Sequence, residues 1–135
     1  MALGAWRNFA IGFSTKNLAA NVMVKFTILL RKHPDLSHEE FVQYHKTQHA
    51  PLFTSLPEVQ QHVRRYVQGH NVPMHLPGLP PPAYDGTTEL WFDTVEDIGK
   101  VFEAPRYLEL IRPDEAKFLD LAGCGFMLLA ENPVL

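Results

Sequence analysis

Two histidines stand four residues apart in YHKTQHAP, residues 44–51, and the stretch closes on a proline. On a helix, side chains at that spacing lie one above the other on the same face. Imidazoles so placed can share a metal ion, exchange a proton, or fill part of a core. His45 and His49 are half of the zinc-binding H-E-x-x-H arrangement, but Lys46, Thr47 and Gln48 lie between them, with no glutamate. The single cysteine, Cys124, offers no thiolate cluster, so packing or proton relay is favoured and no metal is expected. Proline pushes the residue before it out of the helical region, so the helix is expected to end at Ala50, with His49 at its C-terminus. There the helix dipole favours the imidazolium, and a histidine titrating near neutrality suits a proton shuttle. The plainer reading is that His49 hydrogen-bonds a carbonyl at the kink and locks the turn. Both readings stand on the sequence.

The elements that must hold these side chains are marked by alternation and turn signals. VKFTILLRK (24–32) reads as a strand, with Phe26, Ile28 and Leu30 on one face and Lys25, Thr27, Leu29 and Arg31 on the other. HPDL makes a turn, and Ser37 with Glu40 forms a capping-box signature that starts a helix through Phe41, Tyr44, His45 and Gln48. HVRRYVQGH (62–70) is a second strand, Val63, Arg65 and Val67 alternating with His62, Arg64, Tyr66 and Gln68. A proline-rich connection, 71–84, is long enough to be a lid, a binding loop or an interaction surface. TTELWFD (87–93) is the third strand, with Leu90 and Phe92 opposite Glu89 and Trp91. Asp93 is placed to cap a second helix, with Glu96 at its third position and Val95, Ile98, Val101 and Phe102 as its apolar stripe. Pro105 and Pro113 divide the next stretch of chain into short helical pieces, and CGFMLLAEN (124–132) closes as a fourth strand.

The order is β-α-β-β-α-β: an α+β class, ferredoxin-like split pattern with a four-stranded antiparallel sheet. The first and last strands carry apolar residues on both faces, so something must cover the side away from the helices. A second copy of the sheet is the economical cover, and a homodimer is expected.

Length and composition narrow the partners. A chain of 135 residues suits one domain, and 46% hydrophobic with 20% charged residues describes an ordinary soluble protein. The net charge is −3 and the densest basic spot is the pair Arg64-Arg65, so nucleic acid is not an expected partner. No apolar run is long enough for a bilayer, so no membrane is expected. A lone cysteine fits a reducing cytoplasm. Cys124 itself reads as a small buried hydrophobe rather than a nucleophile. Residues 1–22 lack acidic groups and an uninterrupted apolar core. They read as an N-terminal extension, with a domain over 23–135 beginning at Met23.

VKFTILLRKHPDLSHEEFVQYHKTQHAPL, VRRYVQGH, YDGTTELWFD, APRYLELIRPDEAKFLD and the closing strand together resemble the EthD family of the dimeric α+β barrel superfamily. The telling pieces are HAPL at 49–52, YDG…ELWFD at 84–93 and PDE…F.D at 113–120, in that order and spacing. The resemblance implies two ferredoxin-like subunits packed sheet to sheet, each with a small-molecule pocket between its sheet and its helices. In that pocket His49 would be the acid/base, with Glu89 or Tyr66 assisting, and His45, Trp91 and Gln68 would bind substrate. If the Glu89 and Trp91 face lines the pocket, Trp91 gives an aromatic wall and burial raises the Glu89 pKa toward general-acid range. Otherwise Glu89 pairs across strands with Arg64 or Arg65 at the dimer interface. Tyr66 and Gln68 are placed to orient a carbonyl or hydroxyl, although any alternating strand displays such residues. Asp85-Gly86 reads as a turn, Asp114 as a helix start, and Tyr107, Phe118 and Phe126 as core.

Relatives of that fold include lactone isomerases and fungal polyketide-tailoring dehydratases and decarboxylases. The implied function is proton transfer on a small hydrophobic or oxygenated molecule, catabolic or polyketide-like: isomerisation, dehydration or decarboxylation. No cofactor is expected, since the sequence lacks a phosphate-cradling glycine loop, a cysteine cluster and a flavin fingerprint. The alternative is a non-catalytic accessory or binding module of a degradation pathway. A third reading is a haem-handling protein or a cofactor-free monooxygenase relative.

Overall fold

Strand β1 (Val24–Leu30) lies inside a four-stranded antiparallel sheet, between β3 (Gly86–Phe92) and β4 (Gly125–Leu129), in the computed structural model, which describes residues 23–135. The extension expected over 1–22 lies outside the described residues. Strand β2 (Val63–His70) pairs with β3, giving the order β2-β3-β1-β4. This is the ferredoxin-like arrangement that the element order predicts. Register aligns Phe26 with Leu90 and Ile28 with Thr88, and β2 continues the rows with Tyr66 opposite Leu90 and Gln68 opposite Thr88. Side chains on one face alternate with those on the other, so these residues share the face turned toward the helices. Phe26, Leu90 and Phe92 are fully buried there.

The first helical segment begins as the capping box predicts. In α1 (His38–Tyr44) Ser37 Oγ accepts from Glu40 N at 3.1 Å, and Ser37 N donates to Glu40 Oε1 at 2.9 Å. The expected end at Ala50 is corrected. The chain passes through a π-turn, His45–His49, directly into α2 (Ala50–Thr54). A proline ring inside a regular helix clashes with the carbonyl four residues back. Here the ladder widens instead: Ala50 N–H donates to His45 O, five residues back, and Pro51 enters at the first turn of the new segment. A second π-turn, Tyr107–Ile111, precedes Pro113 in the same way, with Arg112 N–H bonded to Tyr107 O.

Other boundaries also shift. Between α2 and β2 the chain forms a further short helix, α3 (Pro57–His62). A bulge at Arg64 breaks the β2 alternation, so Val63 falls opposite Phe92 and Arg65 opposite Trp91. Thr94, not Asp93, caps α4 (Val95–Phe102), accepting from Asp97 N at 3.3 Å. Asp93 instead pairs with Arg64 at 2.8 Å. After the second π-turn come α5 (Arg112–Phe118), a 3-10 turn (Leu121–Gly123) and β4.

The sheet face away from the helices is mixed rather than uniformly apolar. Lys25 pairs with Glu89, Lys25 and Arg65 both lie over the Trp91 ring, and Trp91 Nε1 donates to Glu131 Oε1 at 2.5 Å. Beside this cluster Leu29 is half-buried and Met127 is 43% exposed. Among the described residues no helix is long and apolar enough to cross a membrane.

Candidate active site

The π-turn carries both histidines toward the sheet. His45 is 1% exposed and His49 is 8% exposed, with ring centroids 6.0 Å apart. Phe118, at the end of α5, packs against both, 5.5 Å from the His45 ring and 4.7 Å from the His49 ring. A π-turn costs hydrogen-bond quality, and such turns occur frequently at functional sites. Gln68 steadies this one: its Nε2 donates to His45 O at 2.9 Å and to Tyr66 Oη at 2.8 Å.

His49 Nδ1 is 2.8 Å from Asp114 Oδ2 on α5, and Tyr44 Oη donates to the other oxygen of the same carboxylate. A carboxylate that accepts from Nδ1–H fixes the imidazole tautomer and leaves Nε2 as the basic nitrogen. Burial pushes the Asp114 carboxyl up, but the hydrogen bonds from His49 and Tyr44 outweigh it and hold the group below the ordinary carboxylate range. Burial and the neighbouring carboxylate push the Tyr44 phenol up to about 12.

His45 is differently placed. Its Nδ1 is 2.8 Å from His70 Nε2 and its Nε2 is 3.2 Å from Thr88 Oγ1, so both ring nitrogens are engaged. Burial, aided by the nearby His49 and His70, pushes its pKa down to about 3. His45 is therefore a neutral ring in a hydrogen-bonded chain, with one nitrogen donating and the other accepting. Among the described residues no group of three or more His, Cys, Asp or Glu is arranged to hold a metal ion.

His45, His49, Tyr66, Thr88 and Glu115 line one cavity, closed by Phe53, Phe102, Phe118 and other core side chains. About 20 Å³ of it is open to the centre of a water molecule. That is room for a single water, and a ring-sized guest has to displace wall side chains. Burial pushes the Tyr66 phenol up to about 12, so it stays protonated at neutral pH. Glu115 is 5% exposed; Tyr107 Oη donates to its Oε2 at 2.5 Å, while its Oε1 is buried without a hydrogen-bond partner among the described residues. Burial pushes this carboxyl up to about 8. Cys124 also borders the cavity; its Sγ lies 3.3 Å from Asp120 O, and burial pushes the thiol up, as suits a packed side chain.

The placement of Glu89 and Trp91 in the pocket is corrected. Strand alternation turns Thr88 and Leu90 into the cavity and sends Glu89 and Trp91 to the opposite face, where Glu89 pairs with Lys25 rather than with Arg64 or Arg65. Gln68 shares the correct face but is not a wall residue; it holds Tyr66 and the π-turn in place. Asp114 and Glu115 are site residues that the sequence alone does not single out, because PDE after an apolar stretch is also an ordinary helix start. The signal that could have found them is the PDE…F.D segment itself, which supplies Asp114, Glu115 and Phe118 together.

The EthD domain family matches residues 33–122, which include His45, His49, Tyr66, Thr88, Asp114 and Glu115. Dehydratase aurZ of Gibberella zeae is 28% identical over 109 residues, covering 74% of this chain and 71% of the relative. An ethyl tert-butyl ether degradation (EthD) family protein from Bacillus halodurans has the same fold, with a TM-score of 0.61, 19% identity, and coverage of 82% of this chain and 99% of that one. A dimeric protein of ferredoxin-like fold and unknown function from Bacteroides fragilis matches with a TM-score of 0.57 and 17% identity, over 81% and 96% of the two chains.

Proposed function

The chain belongs to the EthD domain family, and from that premise we propose that it is a dehydratase-type enzyme working by proton transfer on a small oxygenated molecule. The observation that carries this reading is the His49–Asp114 pair, 2.8 Å apart and opening on a cavity that also holds Tyr66. His49 Nε2 takes a proton from a carbon next to a substrate carbonyl, while Asp114 steadies the imidazolium that forms. Tyr66, oriented by Gln68, donates a hydrogen bond to the carbonyl oxygen, where negative charge grows as the proton leaves. Neutral His45 lends the wall a polar surface without a charge that would compete for the proton. The dehydratase relative supports this reaction class over isomerisation or decarboxylation. We propose a cofactor-free reaction, since each proton has a side chain of the cavity to hold it.

We also propose a homodimer that closes an α+β barrel over the outer sheet face, supported by the dimeric relative of the same fold and by Leu29 and Met127 beside the Trp91 cluster. A cytoplasmic location rests on the lone cysteine.

The test uses the aldol adduct of benzaldehyde and acetone, a small aryl β-hydroxy ketone. Proton NMR in D2O tracks deuterium exchange at the carbon between the carbonyl and the carbinol. Wild-type protein accelerates this exchange, and His49→Gln loses about 10²–10⁴-fold of the acceleration while keeping its far-UV circular dichroism. Exchange at the wild-type rate in His49→Gln refutes the assignment.

A second reading, an accessory binding module, draws on the exposed Val72, Met74, Leu76 and Leu79 in the connection between β2 and β3. It is favoured if the protein exchanges no ketone proton but binds a partner through that connection.

A further inference from the structure

Among the described residues Glu115 is the one buried acid of the cavity that the His49 step does not use. Its side chain comes from the first turn of α5, next to Asp114, yet the two carboxyls face opposite electrostatics. Asp114 accepts from a histidine and a tyrosine; Glu115 accepts from Tyr107 alone, and Tyr107 is itself fully buried. With Tyr107 donating to Oε2, the acidic proton belongs on Oε1, the oxygen that has no partner. A buried donor without an acceptor is costly, and such groups persist in native proteins where function uses them.

We propose that Glu115 is the proton donor of this cavity, giving the proton on Oε1 to the hydroxyl that leaves a β-hydroxy carbonyl substrate. The assignment rests on the His49 reading and extends it. His49 Nε2 removes the proton from the carbon next to the carbonyl, that electron pair becomes the new C=C bond, and the C–O bond breaks. The departing oxygen takes the Glu115 proton and leaves as water. The enzyme is left with an imidazolium at His49 and a carboxylate at Glu115. One proton passing from the first to the second through solvent restores the starting state, so no oxidant, reductant or cofactor enters the balance.

The surroundings keep Glu115 in the donor form. Burial is the largest influence and favours the neutral acid; the charge of Asp114 acts in the same direction, while the Tyr107 hydrogen bond and the charge of Arg112 oppose it. Besides Tyr107, the titratable groups that share the cavity wall with it are His45, His49, Tyr66 and Cys124. Burial holds His45, Tyr66 and Cys124 neutral, and His49, hydrogen-bonded to Asp114, is the base of the cavity. A buried carboxyl and a carboxylate-bound imidazole on one cavity wall form an acid and base pair.

The same aldol adduct separates the two assignments. Glu115→Gln, which preserves the shape and an acceptor for Tyr107, is read by the ratio of elimination to deuterium exchange. Its formation of benzylideneacetone, monitored by ultraviolet absorbance, is expected to fall about 10²–10⁴-fold. Elimination at the wild-type rate in Glu115→Gln overturns the proposal while leaving His49 untouched. Exchange at the wild-type rate in His49→Gln, with elimination lost in Glu115→Gln, overturns the His49 reading alone. A second measurement stands apart from turnover: the infrared difference spectrum of wild type minus Glu115→Gln at pH 6. It is expected to contain the carbonyl stretch of a protonated carboxylic acid, moving to the carboxylate bands above pH 8. A spectrum with carboxylate bands only at pH 6 overturns the proposal whether or not the ketone is a substrate.

Discussion

Replacing Glu115 by glutamine should change how the stability of the protein depends on pH, and the size of the change is set by the burial of the group. In the folded chain its carboxyl titrates near 8, raised chiefly by desolvation; its ordinary value is 4.5. Between those values the folded protein holds a proton that the unfolded chain has released. Raising the pH therefore favours unfolding. The contribution is fully present below about 4.5, falls through the interval, and is gone above about 8. One pKa unit corresponds to about 1.36 kcal/mol, so wild type should lose about 3 kcal/mol from this group between pH 5 and pH 7, and about 5 kcal/mol in all. Glu115→Gln has no proton to lose and keeps an acceptor for Tyr107. Urea denaturation of both proteins at pH 5, 6, 7 and 8 isolates the effect, because every other titrating group contributes nearly equally to both curves. The variant should gain on wild type steadily as pH rises. A stability difference that stays constant within about 0.5 kcal/mol across that range would falsify the burial argument, since a carboxyl ionised on both sides of the transition has no such slope.

Phe118 packs against Phe41, Tyr44, His45 and His49 and is 1% exposed, so Phe118→Ala should cost about 3–5 kcal/mol in thermal unfolding. A cost under about 1 kcal/mol would mean that the rings collapse onto one another without it. Gln68→Leu removes the donor to His45 O and Tyr66 Oη; a loss of about 1–2 kcal/mol is expected, with faster hydrogen exchange at the Ala50 amide. Unchanged exchange there would show that the π-turn holds without its strut. In the proposed homodimer Met127→Glu places a charge in the sheet-to-sheet interface, so sedimentation equilibrium should give a dimer for wild type and a monomer for the variant; a variant dimer would move the interface elsewhere and a monomeric wild type would refute the proposal.

Much of the scaffold is legible residue by residue. Phe26-Ile28-Leu30 and Leu90-Phe92 alternate with a period that only a half-buried strand satisfies, and both rows do face the helices. Ser37 and Glu40 cap α1 as their types demand, because a capping box is satisfied within four residues of chain. The prolines are informative but ambiguous. Pro51 announces a break in the hydrogen-bond ladder without saying whether the helix ends or widens, and the packing of His45, His49 and Phe118 decides for the π-turn.

The alternation of the strands, the start of the first helix and two histidines one turn apart are written in the order of the residues. Those features depend on interactions between near neighbours in the chain. Long-range packing settles which face of β3 meets the helices, and so that Thr88 rather than Glu89 borders the cavity. It alone brought Asp114 to His49 across 65 residues of chain and left Glu115 buried with one oxygen unpaired. Residue type gives a carboxylate the same character wherever it stands. What made one of these two an ion and the other an acid is desolvation and the partners that folding places around each.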